Sequence, residues 1–168
     1  ENRSDLALDA YWLMVSGKTA ALLEACTTLG AIVSNVDQNI LQKYREFGHT
    51  LGLAFQAQDD LLGIWGDVAL TGKSADSDLI TRKKSLPILY GLQKGEEFAH
   101  RWQQGKVHLE EVPELAALLD LEGAKDYTQQ AADRLTHQAL AALEAARPQG
   151  DAGAALNELA QRLLNRAK

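Results

Sequence analysis

The strongest constraint on the fold lies between Asp37 and Gly66. Leu41, Tyr44, Phe47, Leu51, Phe55 and Leu62 recur at steps of three, four and seven, the spacing of one buried helix face. Asp37 is a suitable N-cap, Gly66 a suitable stop, and no proline intervenes. At about 1.5 Å per residue this helix would approach roughly 45 Å. A helix of that length needs long partners, so the chain reads as part of a large helical bundle. Gly48, Gly52 and Gly63 fall inside it, each costing up to about 1 kcal/mol relative to alanine. Each therefore marks either close helix packing or room for a ligand.

The flanking sequence is also helical. Ser4 or Asp5 can cap a first helix whose apolar positions Leu6, Ala10, Leu13, Met14, Gly17 and Ala21 lead on to about Val33, with a bend near Ser16-Gly17. Asp67 to Lys84 is polar and reads as a surface loop. Ser85-Leu86-Pro87 opens a helix running to about Lys94, proline being tolerated in a first turn. Further helices are expected over about 96–104, 114–119, 124–146 and 152–166, with a connection over 105–113 and a break at Pro148-Gln149-Gly150. The chain reads as all-α, in one domain and without internal repeats.

Composition narrows the function. The 168 residues carry a formal charge of −6, which provides no broad basic field for a nucleic-acid backbone. No apolar run is long enough to span a membrane, and Glu1-Asn2-Arg3-Ser4-Asp5 has no signal-peptide pattern. A cytoplasmic protein is expected, and a start without Met that runs at once into a helix suggests a fragment. Cys26 is the lone cysteine, which excludes a disulfide framework, and it is expected to be a small core residue.

Chemistry is concentrated at the end of the long helix. At about 100° per residue, Gln56, Asp59, Asp60, Gly63 and Asp67 fall in one sector of an otherwise apolar segment. Acids near a helix C-terminus oppose the macrodipole, and adjacent acids raise each other's pKa unless a cation answers them. Carboxylates without nearby His or Cys suit Mg²⁺, which takes one or two protein carboxylates and completes its octahedron with water and phosphate oxygens. On spacing alone, a solvated acidic helix end fits equally well.

Lys73, Arg82, Lys83 and Lys84 follow shortly after these acids. Acids that bind a metal, joined by lysines that neutralise phosphate, make a diphosphate site; solvated loop lysines are the plain alternative. Ser16-Gly17-Lys18-Thr19 has the ending of a nucleotide-binding P-loop, but Trp12 stands where its first glycine is required and no strand precedes it. Lys18 read by itself is a surface lysine.

Gly17-Lys18-Thr19, Phe47-Gly48, Leu51-Gly52-Leu53-Ala54-Phe55-Gln56, Asp59-Asp60, Gly66-Asp67, Gly72-Lys73, Ser77-Asp78 and Lys83-Lys84-Ser85-Leu86-Pro87 together resemble the trans-isoprenyl diphosphate synthases, or polyprenyl synthetases, such as geranylgeranyl and farnesyl diphosphate synthases. The match runs from about Tyr11 to Leu92, and the ordered set is far more specific than any one motif.

The resemblance implies the C-terminal portion of an isoprenoid synthase bundle. It implies a prenyltransferase that condenses isopentenyl diphosphate with an allylic diphosphate, uses Mg²⁺ and forms a homodimer. Asp59 and Asp60 correspond to metal-binding positions. Lys18, Lys73 and Lys83 correspond to lysines that grip the allylic diphosphate, Thr19 and Gln56 to residues flanking the developing cation, and Phe55 to the wall of the substrate cavity.

Two departures stand out. Gly63 replaces the third acid of the second Asp-rich motif, and no first motif is present, Asp59-Asp60 being the only adjacent aspartates. By itself this chain is expected to be inactive. A class I terpene cyclase is the second enzyme reading, disfavoured by the paired aspartates and following lysines; a non-catalytic partner subunit is the third.

Overall fold

The computed structural model describes residues 8–66 and 77–164; the expected cap at Ser4 or Asp5, and Leu6, Asp67 and Lys73, lie outside them. The described residues form α-helices joined by short turns, with no strand among them. The elements are α1 Leu8–Val15, α2 Ala21–Val33, α3 Gln38–Trp65, α4 Ser77–Ile80, α5 Leu86–Lys94, α6 Glu97–Gln103, α7 Val112–Leu121, α8 Ala124–Ala146 and α9 Gly150–Leu164.

The bend expected in the first helix is a π-turn at Ser16–Ala20, joining α1 to α2, in which the Ala21 N–H donates to the Ser16 carbonyl five residues back. Such wide turns frequently occur at functional sites. The buried face of α1 differs from the expected stripe: Tyr11 and Val15 are buried, whereas Leu13 and Met14 are exposed. Their hydrophobicity alone did not identify which side faces the core. Cys26 is also exposed rather than core, because the buried positions of α2 are Thr28 and Ala31.

The long helix forms as its pattern requires. The Asp37 carboxylate accepts from the N–H groups of Asn39 and Ile40 at 2.8 and 3.0 Å, satisfying otherwise unpaired donors of its first turn. At the other end the helix stops after Trp65, with the Gly66 N–H donating to the Leu62 carbonyl at 3.1 Å.

Of the described residues, those in Glu1–Tyr11 and Ala57–Gln130 form one compact unit, and those in Trp12–Gln56 and Ala131–Lys168 form another. The first has a core of Ile64, Leu79, Ile88, Phe98, Trp102, Leu115 and Leu119. In the second, Phe47, Leu51 and Ala54 of α3 pack with Leu135, Ala139 and Leu143 of α8 and Ala160 and Leu164 of α9. The apolar face read from the sequence of α3 therefore becomes the face that packs on other helices.

The glycines of α3 mark close packing. A Cβ added at Gly52 would lie 2.5 Å from Ala20 Cα, and one at Gly48 would lie 2.6 Å from the Leu23 carbonyl. Gly63 faces a side chain instead, with the Asp78 carboxylate oxygen 2.6 Å from where its Cβ would be. The expected loop over 67–84 needs correction at its end, since Ser77–Ile80 is a helical turn with Asp78 and Leu79 buried. Leu79 belongs to the first core, so this segment is anchored by one apolar residue that composition gave little weight.

Gly52→Ala tests the packing. Helix propensity favours alanine by about 1 kcal/mol, but the obstructing atom is backbone and overpacking costs about 1–3 kcal/mol. The expected result is a lower urea midpoint. A midpoint at or above that of the unsubstituted protein would show that the contact between the π-turn and α3 opens freely.

Candidate active site

The centre of the acidic cluster is Asp60. Its side chain is fully buried, in the last turns of α3, and three donors converge on it. The Tyr11 hydroxyl donates to Oδ2 at 2.7 Å, the Leu86 N–H donates to the same oxygen at 2.8 Å, and Lys83 Nζ donates to Oδ1 at 3.1 Å. An ionised carboxylate can accept several such bonds, and the two positively polarised backbone and ammonium donors answer its charge in the interior. The Leu86 contact also places a carboxylate at the start of α5, where the helix dipole favours it.

Lys83 joins Asp60 to a second acid, lying 3.2 Å from Asp78 Oδ2. Its own side chain remains 45% exposed, while its ammonium is held by two buried carboxylates. Burial works against its charge, but Asp60 and Asp78 outweigh it and hold its pKa above the ordinary lysine value. For Asp78, burial pushes the carboxyl up, an effect that Lys83 opposes and Asp60 reinforces. Burial and then Asp60 hold the Tyr11 phenol far above its usual range. Tyr11 is thereby a fixed donor and not an acid.

Asp59, one residue before this hub, is half-buried and makes no hydrogen bond or ion pair with another described residue. The two adjacent acids are thus in different states. Asp60 is held by its donors. Asp59 is a hard oxygen donor open to a cation. Among the described residues, no group of three or more His, Cys, Asp and Glu is arranged to hold a metal ion.

The other predicted residues of the described chain lie in the second unit. Lys18 is exposed on the π-turn. Thr19, next to it, donates its hydroxyl to Gln56 Oε1 at 3.2 Å, which ties the turn to α3 just where the Gly52–Ala20 contact brings the helices together. Phe55 is half-buried beside Gln56 on α3. Thus the structure brings Thr19 to Gln56, and Asp60 to Lys83.

Sequence reasoning missed Tyr11 and gave Asp78 no role. Tyr11 is separated from Asp60 by 49 positions and looks like one more aromatic on an apolar helix. Asp78 had a usable signal, namely Gly63, whose missing side chain leaves the space that the Asp78 carboxylate borders.

A sequence profile of the polyprenyl synthetase family matches residues 1–119. The chain belongs to the polyprenyl synthetase family. Among its relatives, the geranylgeranyl diphosphate synthase of Mycobacterium tuberculosis is 39% identical over 148 residues, covering 85% of this chain and 42% of that protein. The (2E,6E)-farnesyl diphosphate synthase of the same organism is 44% identical over 95 residues, covering 56% of this chain and 26% of that protein. Similar solved structures include the geranylgeranyl pyrophosphate synthetase of Pyrococcus horikoshii, with a TM-score of 0.85 and 30% identity over 97% of this chain and 50% of that one. A polyprenyl synthase from Caulobacter crescentus, solved with calcium and isoprenyl diphosphate, gives a TM-score of 0.83 and 31% identity over 99% of this chain and 52% of that one. This polyprenyl synthetase chain spans less than half the length of these curated relatives and about half the length of the solved structures. Its all-helical fold is the fold of the family.

Two measurements probe the hub. Tyr11→Phe removes one hydrogen bond to a buried charge and should cost about 2 kcal/mol in urea unfolding; no loss would mean that the hydroxyl does not hold Asp60. Because the folded-state pKa of Lys83 is raised, its stabilising contribution is complete below the ordinary value of 10.5 and is lost as pH rises through the higher folded value. The stability gap between the unsubstituted protein and Lys83→Met should accordingly be flat from about pH 7 to 9 and close in more alkaline solution. A gap that widens there would contradict the ion pairs.

Proposed function

We propose that this chain is the C-terminal portion of a Mg²⁺-dependent prenyltransferase of the short-chain, geranylgeranyl type, condensing isopentenyl diphosphate with an allylic diphosphate. The observation that carries this reading is Lys83, held charged by two buried acids while its side chain stays 45% exposed, beside an acid hub whose neighbour Asp59 makes no hydrogen bond or ion pair with another described residue. A homodimer in the cytoplasm is part of the same proposal, on the strength of the family resemblance.

The donor chemistry fits a hard divalent ion. Asp59 offers carboxylate oxygen, and Mg²⁺ needs only one or two such ligands when phosphate and water supply the rest. Asp60 supports the site through its hold on Lys83 and Leu86. When bound, Mg²⁺ supplies positive charge that makes the diphosphate a better leaving group. The Caulobacter relative solved with calcium and isoprenyl diphosphate supports a divalent ion and this class of substrate.

Lys18, Lys73 and Lys83 are the proposed diphosphate lysines. In the reaction, the allylic C–O bond breaks and the diphosphate leaves with the electron pair. The double bond of isopentenyl diphosphate attacks the resulting cation, and loss of a proton restores a double bond in the lengthened chain. Lys83 suits the leaving step because its charge is fixed before substrate arrives, and preorganised charge stabilises a developing anion without reorganisation. Thr19 and Gln56, hydrogen-bonded to each other, are the proposed polar residues flanking the cation, and Phe55 is the proposed apolar wall that would keep water away from it.

Titration with magnesium pyrophosphate tests the binding half of this proposal. Asp59→Ala and Lys83→Ala should each weaken binding at least about tenfold, the scale of one lost charge-assisted contact; unchanged affinity in both would overturn the assignment. The unsubstituted 168-residue chain supplied with both diphosphates and Mg²⁺ should give no prenyl transfer, and product from the purified chain would refute the expectation that it is inactive by itself.

A further inference from the structure

Arg82, between the helical turn α4 and Lys83, is one of the described non-glycine residues with a left-handed backbone, at φ 54°. A side chain disfavours this conformation because its Cβ crowds the following carbonyl, and arginine has no short polar group to relieve it locally. Nothing in the basic character of the segment requires such a backbone.

The Arg82 side chain is engaged away from the acids. Its guanidinium lies over the Trp102 ring, 4.2 Å from the centroid. Nη2 donates to the Trp102 carbonyl at 2.9 Å, and Nη1 donates to the Gly105 carbonyl. Burial moves its pKa below the ordinary arginine value. A planar guanidinium can stack and donate in this way at once, which an ammonium cannot do.

The backbone on either side is equally fixed. The Arg82 N–H donates to the Leu79 carbonyl at 3.3 Å, the Lys83 N–H to the Asp78 carbonyl at 3.0 Å, and the Ser85 N–H to the Lys83 carbonyl at 2.9 Å. Three residues of this segment then divide the work. Arg82 points to α6 and the turn after it, Lys83 reaches Asp60 and Asp78, and Leu86 meets Asp60 through its N–H. Two adjacent long cations take divergent directions across the left-handed backbone at Arg82.

We propose that Arg82 is a positioning residue: its anchorage on Trp102 and Gly105 holds the left-handed turn that directs Lys83 into the acidic cluster. It touches neither the acids nor any reacting group, so it acts through Lys83. The inference rests on the reading of Lys83 as a diphosphate lysine, but its test needs no ligand.

The test compares Arg82→Ala with Arg82→Gly by site-resolved amide exchange. Both variants lose the stack on Trp102 and the two carbonyl bonds, but only alanine keeps a Cβ in the left-handed region, whereas glycine enters it freely. Arg82→Ala should accelerate exchange at Lys83 and Leu86 by about tenfold, the scale of one uncompensated left-handed residue. Arg82→Gly should restore both amides to within about threefold of the unsubstituted protein. Equal exchange in the two variants overturns the proposal, as does an alanine variant with unchanged Lys83 exchange. So does a matching acceleration at Thr128 and Leu143, which would mark global destabilisation. Failure of the unsubstituted protein to bind magnesium pyrophosphate would count instead against the diphosphate reading.

Discussion

The ordering of the candidate site depends on keeping one negative charge, that of Asp60, in a buried place. An isolated carboxylate there would be neutralised or expelled. Tyr11, Lys83 and the Leu86 N–H prevent this from three directions, and each is consequently fixed by the acid it serves. The last turns of α3, the middle of α1, the turn before α5 and the first residue of α5 all meet at this carboxylate. Lys83 thus gains a defined direction and a secure charge from a group that itself stays out of solvent.

Much of the architecture was legible because it follows from local rules. Asp37 caps α3 through two backbone donors, the apolar steps from Phe47 to Leu51 lie in a core, and Pro87 sits in a first turn. Gly48 and Gly52 pointed either to close packing or to room for a ligand, and the contacts with Leu23 and Ala20 show the former. Where the reading failed, hydrophobicity had been asked to choose a face that only packing decides. Cys26 and Leu13 are exposed, while polar Thr28 is buried.

The candidate site was legible in its composition and obscure in its division of labour. Asp59 and Asp60 are adjacent and chemically identical in sequence, yet only Asp60 is enclosed by donors. Arg82, Lys83 and Lys84 formed one basic run, yet Arg82 belongs with Trp102 and Lys83 with two acids. Spacing identifies a helix sector but carries no information about partners distant in the chain, and the Tyr11 contact is wholly of that kind. The family resemblance supplied roles for Lys18, Thr19 and Gln56; the observed Thr19–Gln56 bond supplies a reason why the latter two are placed together.

The Asp78 carboxylate against Gly63 has a consequence for how this sequence can vary. A side chain at position 63 can be regained only by displacing an acid that is buried and engaged with Lys83. A restored aspartate would also bring a like charge to that acid. The glycine that reads as a missing ligand thus borders a buried acid of another helix, and a substitution there acts on the partner of Lys83.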